Sequence, residues 1–243
     1  MSAGLCIGTS GWSYDCWRDD FYAGVPRKHW LRHYASRFNA VEVNASFYGQ
    51  LRPTTYQHWS QDTPSGFVFT LKAHRYLTHM TRLAFPLEAL LRQRDAALPL
   101  AGKLAAIVWQ MPAKLAFDLP RLERFASMLE EWREVRHVLE FRDDSWFCPA
   151  TADALSAHRL AVCQSDAHDW PLWSAVTTDL VYVRLHGHDR TYSSPYPDDQ
   201  LRAWAVRIER WRSENRSVHV YFDNTDSGHA IQDAERLKAM LDA

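Results

Sequence analysis

Phe38-Asn39-Ala40-Val41-Glu42-Val43-Asn44-Ala45-Ser46-Phe47-Tyr48 has the composition of a buried strand and yet carries an acid at its centre. Side chains alternate between the two faces of a strand, so Ala40, Glu42 and Asn44 share one side while Val41, Val43 and Ala45 share the other. One face is apolar; the other turns polar towards the carboxyl end. The same pattern recurs in later strand-like runs, and the recurrence organises the rest of the chain.

Strand-like runs lie at Leu5 to Thr9, Ala40 to Asn44, Phe67 to Lys72, Leu104 to Gln110, His137 to Arg142, Leu160 to Asp166, Leu180 to His186 and Val218 to Asp223. Helical spacing occupies His29 to Phe38, Thr54 to Gln61, Pro86 to Asp95, Pro120 to Trp132, Thr151 to His158, a short stretch near Trp170, Asp199 to Ser213 and Ala230 to Leu241. Asp118 before Leu119-Pro120, and Asp198-Asp199 after Pro197, read as acidic caps opening apolar stripes. Eight strands alternating with helices in 243 residues predict a closed (β/α)₈ TIM barrel, a single domain over residues 1–243. An open doubly wound sheet is the alternative. Its glycine-rich first turn is missing, since Gly8-Thr9-Ser10-Gly11-Trp12 lacks the G-x-G-x-x-G spacing, and no dinucleotide cofactor is expected.

Twenty-eight basic and 29 acidic side chains give a formal charge of -1, so no global positive field is available to hold nucleic acid, and any anion site must be local. Cys6, Cys16, Cys148 and Cys163 show neither a C-x-x-C pair nor metal-finger spacing and are expected to be free thiols. Without a signal peptide or an apolar run of the ~18 to 20 residues needed to cross a bilayer, the protein is expected to be cytoplasmic, with no membrane partner.

In a barrel the polar parity of each strand should face inward. That rule selects Glu42 and Asn44 from the second strand, Lys72 and His74 from the third, and Gln110 from the fourth. The fifth supplies Glu140 and Arg142, the sixth Gln164 and Asp166, the seventh Arg184 and His186 beyond Tyr182, and the eighth Asp223 with Asn224 after it. A buried unpaired charge costs several kcal/mol, so these residues are either paired or used. The pairs Glu140 with Arg142, and Glu42 with Lys72 or Arg184, could equally be structural plugs. Lys72, Arg142 and Arg184 would repel a cation, so no metal is expected; they suit a phosphate or carboxylate instead. The loop around Trp12, Tyr14 and Trp17 offers rings for stacking, and Gly187 to Tyr196 could close as a lid.

Taken together, Gly8-Thr9-Ser10-Gly11-Trp12-Ser13-Tyr14, Val41-Glu42-Val43-Asn44 with Phe47-Tyr48, Lys72 with Thr78-His79, and Gln110-Met111-Pro112 resemble the YecE-like family of uncharacterised TIM barrels. So do Glu140-Phe141-Arg142 with Ser145-Trp146, Tyr182-Val183-Arg184-Leu185-His186-Gly187 and Tyr221-Phe222-Asp223-Asn224. The resemblance spans nearly the whole chain and implies the barrel without supplying a reaction. The chain departs from the family pattern at Asp143, where histidine is expected, and at Asp223, where asparagine is at least as frequent.

Three functions compete. The first is an enzyme of hydrolase type acting on a small anionic or phosphate-containing substrate. Glu42, Glu140, Asp166 and His186 would be its catalytic groups, and Asn44, Lys72, Arg142, Arg184, Trp12, Tyr48, Gln110, Asp223 and Asn224 would bind the substrate. The second is an endonuclease-like protein stacking a base on Trp12 or Tyr48, and the third a non-catalytic binding barrel. The oligomeric state is not fixed by the sequence.

Overall fold

The structure, a computed structural model, describes residues 4–242. Eight strands form: β1 Leu5–Thr9, β2 Ala40–Val43, β3 Val68–Lys72, β4 Leu104–Gln110, β5 Arg136–Glu140, β6 Ala161–Asp166, β7 Leu180–Leu185 and β8 Ser217–Phe222. Every run expected to be a strand is one, with small shifts at the ends. All neighbouring strands pair in parallel in the order β1-β8-β7-β6-β5-β4-β3-β2. Chain order therefore runs around a ring, as the alternating pattern requires of a (β/α)₈ barrel.

The helices are α1 Trp30–Arg37, α2 Ala45–Tyr48, α3 Pro53–Asp62, α4 Leu87–Ala97, α5 Leu119–Leu129, α6 Pro149–Ala157, α7 Asp198–Ser213 and α8 His229–Leu241. They are not one per strand: β2 is followed by two and β6 by none. The short helix expected near Trp170 is absent. Pro171 disfavours helical backbone at the residue before it, and an isolated bridge from Ala167 to Trp170 holds the segment instead. Asp118 caps α5 as expected, accepting from the Arg121 N–H at 3.0 Å. Asp198 does not cap α7. Pro197, extended, stands in that position, and Asp198 lies in the first turn paired with Arg236, where it still complements the helix dipole.

Helix α5 shows how the outer layer is built. Leu122, Phe125, Ala126 and Leu129 recur at helical spacing, form one buried stripe, and join the strands' outward side chains such as Ile107, Trp109 and Leu139 in the main core. The opposite faces of the strands fill the barrel interior, where Ala40, Ala106, Val108, Val138, Cys163, Tyr182 and Tyr221 make a second apolar cluster. Interior side chains are therefore small on β4 to β6 and large on β7 and β8.

The ring closes between β1 and β2 through side chains rather than through a full ladder. Asn39 receives the Ile7 N–H at 3.0 Å and donates to the Leu5 carbonyl at 2.8 Å. The Tyr34 hydroxyl, reaching in from α1, accepts from the Thr9 N–H at 2.7 Å and donates to the Ala40 carbonyl at 3.1 Å. Beyond it, the Gly11 N–H donates to the Glu42 carbonyl at 2.7 Å. Gly8 makes this possible: a Cβ there would stand 2.0 Å from the Ala40 oxygen and 2.9 Å from the Tyr34 hydroxyl. No helix among the described residues is long and apolar enough to cross a membrane.

Candidate functional site

The carboxyl ends of the strands bring the polar parity together around Arg184. Its guanidinium is 1% exposed and spans three carboxylates. Nη2 lies 2.8 Å from Glu42 Oε1 and 2.7 Å from Asp223 Oδ2, while Nη1 lies 2.7 Å from Glu140 Oε2. Nε adds bonds of 3.1 and 3.0 Å to the two Glu42 oxygens. Glu42 also accepts from Ser10 Oγ at 2.5 Å and from the Tyr182 hydroxyl at 2.6 Å. Glu140 accepts from Arg142 Nε at 2.5 Å and from Ser165 Oγ at 3.2 Å. The pairs Glu42–Arg184 and Glu140–Arg142 both form. Lys72 joins no such pair: its ammonium makes no hydrogen bond or ion pair with the described residues and lies 4.5 Å from the centre of the Phe47 ring.

Three carboxylates face three cations here, Glu42, Glu140 and Asp223 against Lys72, Arg142 and Arg184, and the cluster is close to neutral. Arg184 is consequently unavailable to grip a substrate anion. Its charge is spent inside the protein, where removing it would strand buried acids.

The environment separates the acids. Burial alone would raise the Glu140 carboxyl, but Arg142 and Arg184 outweigh it and hold the group well below its ordinary range. At Asp223 burial wins, and the carboxyl is pushed up to about 6. The His186 imidazole is held neutral by its burial and by Arg184 and Arg142, far below its ordinary value. Nε2 of His186 accepts from Arg184 at 3.0 Å and stands 3.4 Å from Asp223 Oδ2; Nδ1 faces the Asp166 carbonyl at 3.3 Å. Of these neighbours, Asp223 is the one that titrates nearest neutrality.

The mouth is asymmetric. The residues ending β7 and β8 and following β1, namely Arg184, His186, Asp223 and Ser10, are buried. Trp170 and Tyr192 cover His186 edge-on, with ring centroids at 5.0 and 5.6 Å. Tyr192 belongs to the segment expected to act as a lid. Asn44, Lys72, Gln110 and Arg142, from the ends of β2, β3, β4 and β5, form a less buried arc, in which the Arg142 side chain itself is 8% exposed. Asn44 Oδ1 has no partner among the described residues, and Arg142 stacks on Trp170 with its guanidinium carbon 3.7 Å from the ring centre. Lys72, lowered to about 8 by burial and then by Arg184, is the cation of this arc that lacks an acid. A π-helical turn over Tyr76–Met80 brings His79 to the same side, 5.0 Å from the Phe47 ring.

Several residues expected in the site stand elsewhere. Gln164 and Asp166 face outward: Arg207 donates to Gln164, and Trp204 Nε1 donates to Asp166 Oδ2 at 3.2 Å. The inward residues of β6 are Cys163 and Ser165. Asn224, one residue beyond Asp223 and so of opposite parity, donates to the Ser194 carbonyl and to Asp233, tying down the segment before α7. Trp12 packs edge-on against Trp59 at 5.0 Å, and Tyr48 is 71% exposed. His74 lines a separate cavity of about 370 Å³, with Tyr56 and Gln93, outside the barrel wall. Ser10 and Ser165, not expected from sequence, bind the acids from inside. Ser10 continues the inward parity of Cys6 and Gly8, which is the one signal that could have found it. Among the described residues no group of three His, Cys, Asp or Glu side chains is placed to hold a metal ion.

The chain is 23% identical over 270 residues to UPF0759 protein YunF of Bacillus subtilis (strain 168), covering 98% of this chain and 95% of that one. A DUF72 family protein of Thermotoga maritima MSB8 superposes with a TM-score of 0.88 at 24% identity, over 99% of this chain and 100% of that one. A DUF72 family protein of Enterococcus faecalis V583 gives a TM-score of 0.85 at 19% identity, over 98% and 96%. Both share the barrel. The model of the family described as "Protein of unknown function DUF72" matches residues 6–243, and the chain therefore belongs to that family.

Proposed function

We propose that the protein is an enzyme of acid–base type, hydrolysis being the first reaction to test, acting on a small anionic substrate held in the less buried arc of the mouth. The YecE-like motifs read from the sequence are then the linear trace of this site. The observation that carries the reading is the asymmetry: a buried half built on Arg184 and the acids it spans, ending in the Asp223 carboxyl raised to about 6, beside a half that presents Asn44, Lys72, Gln110 and Arg142. Lys72 balances the acids' charge without an ion pair to any of them, which leaves its ammonium free for a ligand. Lys72 holds the anion, with Arg142 beside it. Asp223 is the acid–base group, with His186 as its proton partner, because a carboxyl near 6 exchanges protons close to neutrality. Glu42 and Glu140 serve as anchors of Arg184 and Arg142. The endonuclease-like reading has less support, since the Trp12 ring is occupied by Trp59.

The test is incubation with a pool of small phosphorylated and carboxylated metabolites, followed by mass spectrometry. The wild type should deplete specific members of the pool, and Asp223→Asn should lose about 10²–10⁴-fold of that rate. The shift of Asp223 from 3.8 to about 6 opposes its ionised form by about 3 kcal/mol. This group contributes stability below pH 3.8 that is lost as pH rises through about 6. At pH 8 the neutral amide should therefore leave the melting temperature unchanged or raised. Full activity in Asp223→Asn, or depletion of no member of the pool, would remove the reading.

A further inference from the structure

We propose that Lys72 is a nucleophile, capturing a 2-oxo acid as a Schiff base while the substrate's carboxylate lies against Arg142. This rests on the acid–base reading of the mouth and narrows its substrate to an anion bearing a carbonyl.

Geometry carries it first. Lys72 ends β3, and its backbone is fixed by Ser46 Oγ, which donates to the Lys72 carbonyl at 2.7 Å. Its amine projects over Phe47 into the less buried arc, free of any acid partner among the described residues. Arg142 ends β5, two strands away and about 10 Å along the ring. Strand register sets both on one rim: Lys72 pairs with Val108 on β4, and Gln110, two residues on, pairs with Glu140, to which Arg142 Nε donates at 2.5 Å. Were an anion merely to be gripped there, a second arginine would do it better, since its fork matches a carboxylate and it keeps its charge when buried. A lysine in this position gives the site an amine that loses its proton near neutrality, which is what nucleophilic attack requires.

The step balances with one solvent proton and no further reactant. The neutral amine's lone pair attacks the carbonyl carbon, and the carbonyl π pair moves to oxygen, which takes up a proton from solvent. Nitrogen releases one proton to the Asp223 carboxylate, forming a carbinolamine. Asp223 returns that proton to the hydroxyl, which leaves as water, and the nitrogen lone pair forms the C=N bond. Amine, ketone and one solvent proton become the iminium, the species cyanoborohydride reduces, and water; Asp223 ends as it began.

Pyruvate with sodium cyanoborohydride is the probe, applied to the full chain and read by intact mass and peptide mapping. The expected result is one reduced adduct, saturable in pyruvate and located at Lys72, forming about fivefold faster at pH 8 than at pH 7 as the amine deprotonates. Lys72→Met should give no adduct there; since it also leaves the cluster one positive charge short, its folding is checked by melting, and Lys72→Arg, which keeps the charge, should likewise give no adduct. Arg142→Met, checked for folding, should need at least about tenfold more pyruvate for the same labelling. Absence of labelling at Lys72, or labelling no faster than at the other lysines Lys28, Lys103, Lys114 and Lys238, overturns the proposal. If Lys72 is unlabelled while Asp223→Asn still abolishes depletion of the metabolite pool, the nucleophile fails and the acid–base site stands. Labelling at Lys72 without any such depletion supports the capture and removes the acid–base role of Asp223.

Discussion

Replacing Arg184 with Met is expected to destabilise the protein by about 3–5 kcal/mol, a large fraction of the ~5–15 kcal/mol an ordinary domain has. The side chain is 1% exposed and is the shared partner of Glu42, Glu140 and Asp223, which are themselves buried. Deleting it exchanges a neutral cluster for one with an excess negative charge and little water to screen it. Asp223 relieves part of the loss by taking a proton, because burial already holds it at about 6. Glu42 loses its charged partner altogether: both its oxygens face Arg184 Nε, and its remaining partners are the neutral hydroxyls of Ser10 and Tyr182. Arg184→Lys should rescue only a fraction, since a single ammonium cannot span three carboxylates as the fork does. Urea unfolding at pH 7.5 reads the effect. A variant with a midpoint equal to wild type would mean that the acids do not depend on Arg184.

Gly8→Ala is expected to cost about 3 kcal/mol, the upper end of ordinary overpacking, by opening the seam of the barrel. The added methyl would stand 2.0 Å from the Ala40 oxygen and 2.8 Å from its carbon, both backbone atoms that no rotamer change can move. β1 and β2 would have to separate. The Tyr34 hydroxyl bridge between the Thr9 N–H and the Ala40 carbonyl would lengthen, and Ser10, two residues on, would withdraw from Glu42. Gly66→Ala is the control, because nothing lies within 4 Å of a Cβ there, and it should be neutral or slightly stabilising. Equal midpoints for the two variants would show that the seam tolerates separation.

The barrel was legible because its interior strands are periodic and long enough to count, and because a strand such as Leu104 to Gln110 is bounded by polar or turn residues on either side. Much of the site was legible for a related reason: on β2, β5, β7 and β8 only one parity carries charge at the carboxyl end, so Glu42, Glu140, Arg184 and Asp223 could face only inward. β6 broke the rule. Ala161-Val162-Cys163-Gln164-Ser165-Asp166 is polar on both parities at its end, so its charged parity reads as the inner one although it is the outer. Its outer face is polar because no helix follows β6; Gln164 and Asp166 meet Arg207 and Trp204 of α7 and the irregular segment after the strand instead. Asn224 misled for a simpler reason, since proximity to Asp223 in sequence places it on the opposite face. The seam was not legible at all. Asn39 and Tyr34 look like a loop residue and a helix core residue, and their bridging role depends on Gly8 letting β2 approach.

A double-mutant cycle on Glu42→Gln and Arg184→Met tests most directly whether residues 142 apart in sequence share one compensated cluster. The double variant leaves Glu140 and Asp223 facing Arg142 and Lys72, and is again neutral. Its loss in unfolding free energy should fall short of the summed single losses by about 2 kcal/mol. If Arg184→Met alone does not fold, recovery of folding in the double variant reports the same coupling. Losses that simply add, to within about 0.5 kcal/mol, would contradict the convergence of these strand ends on a single site.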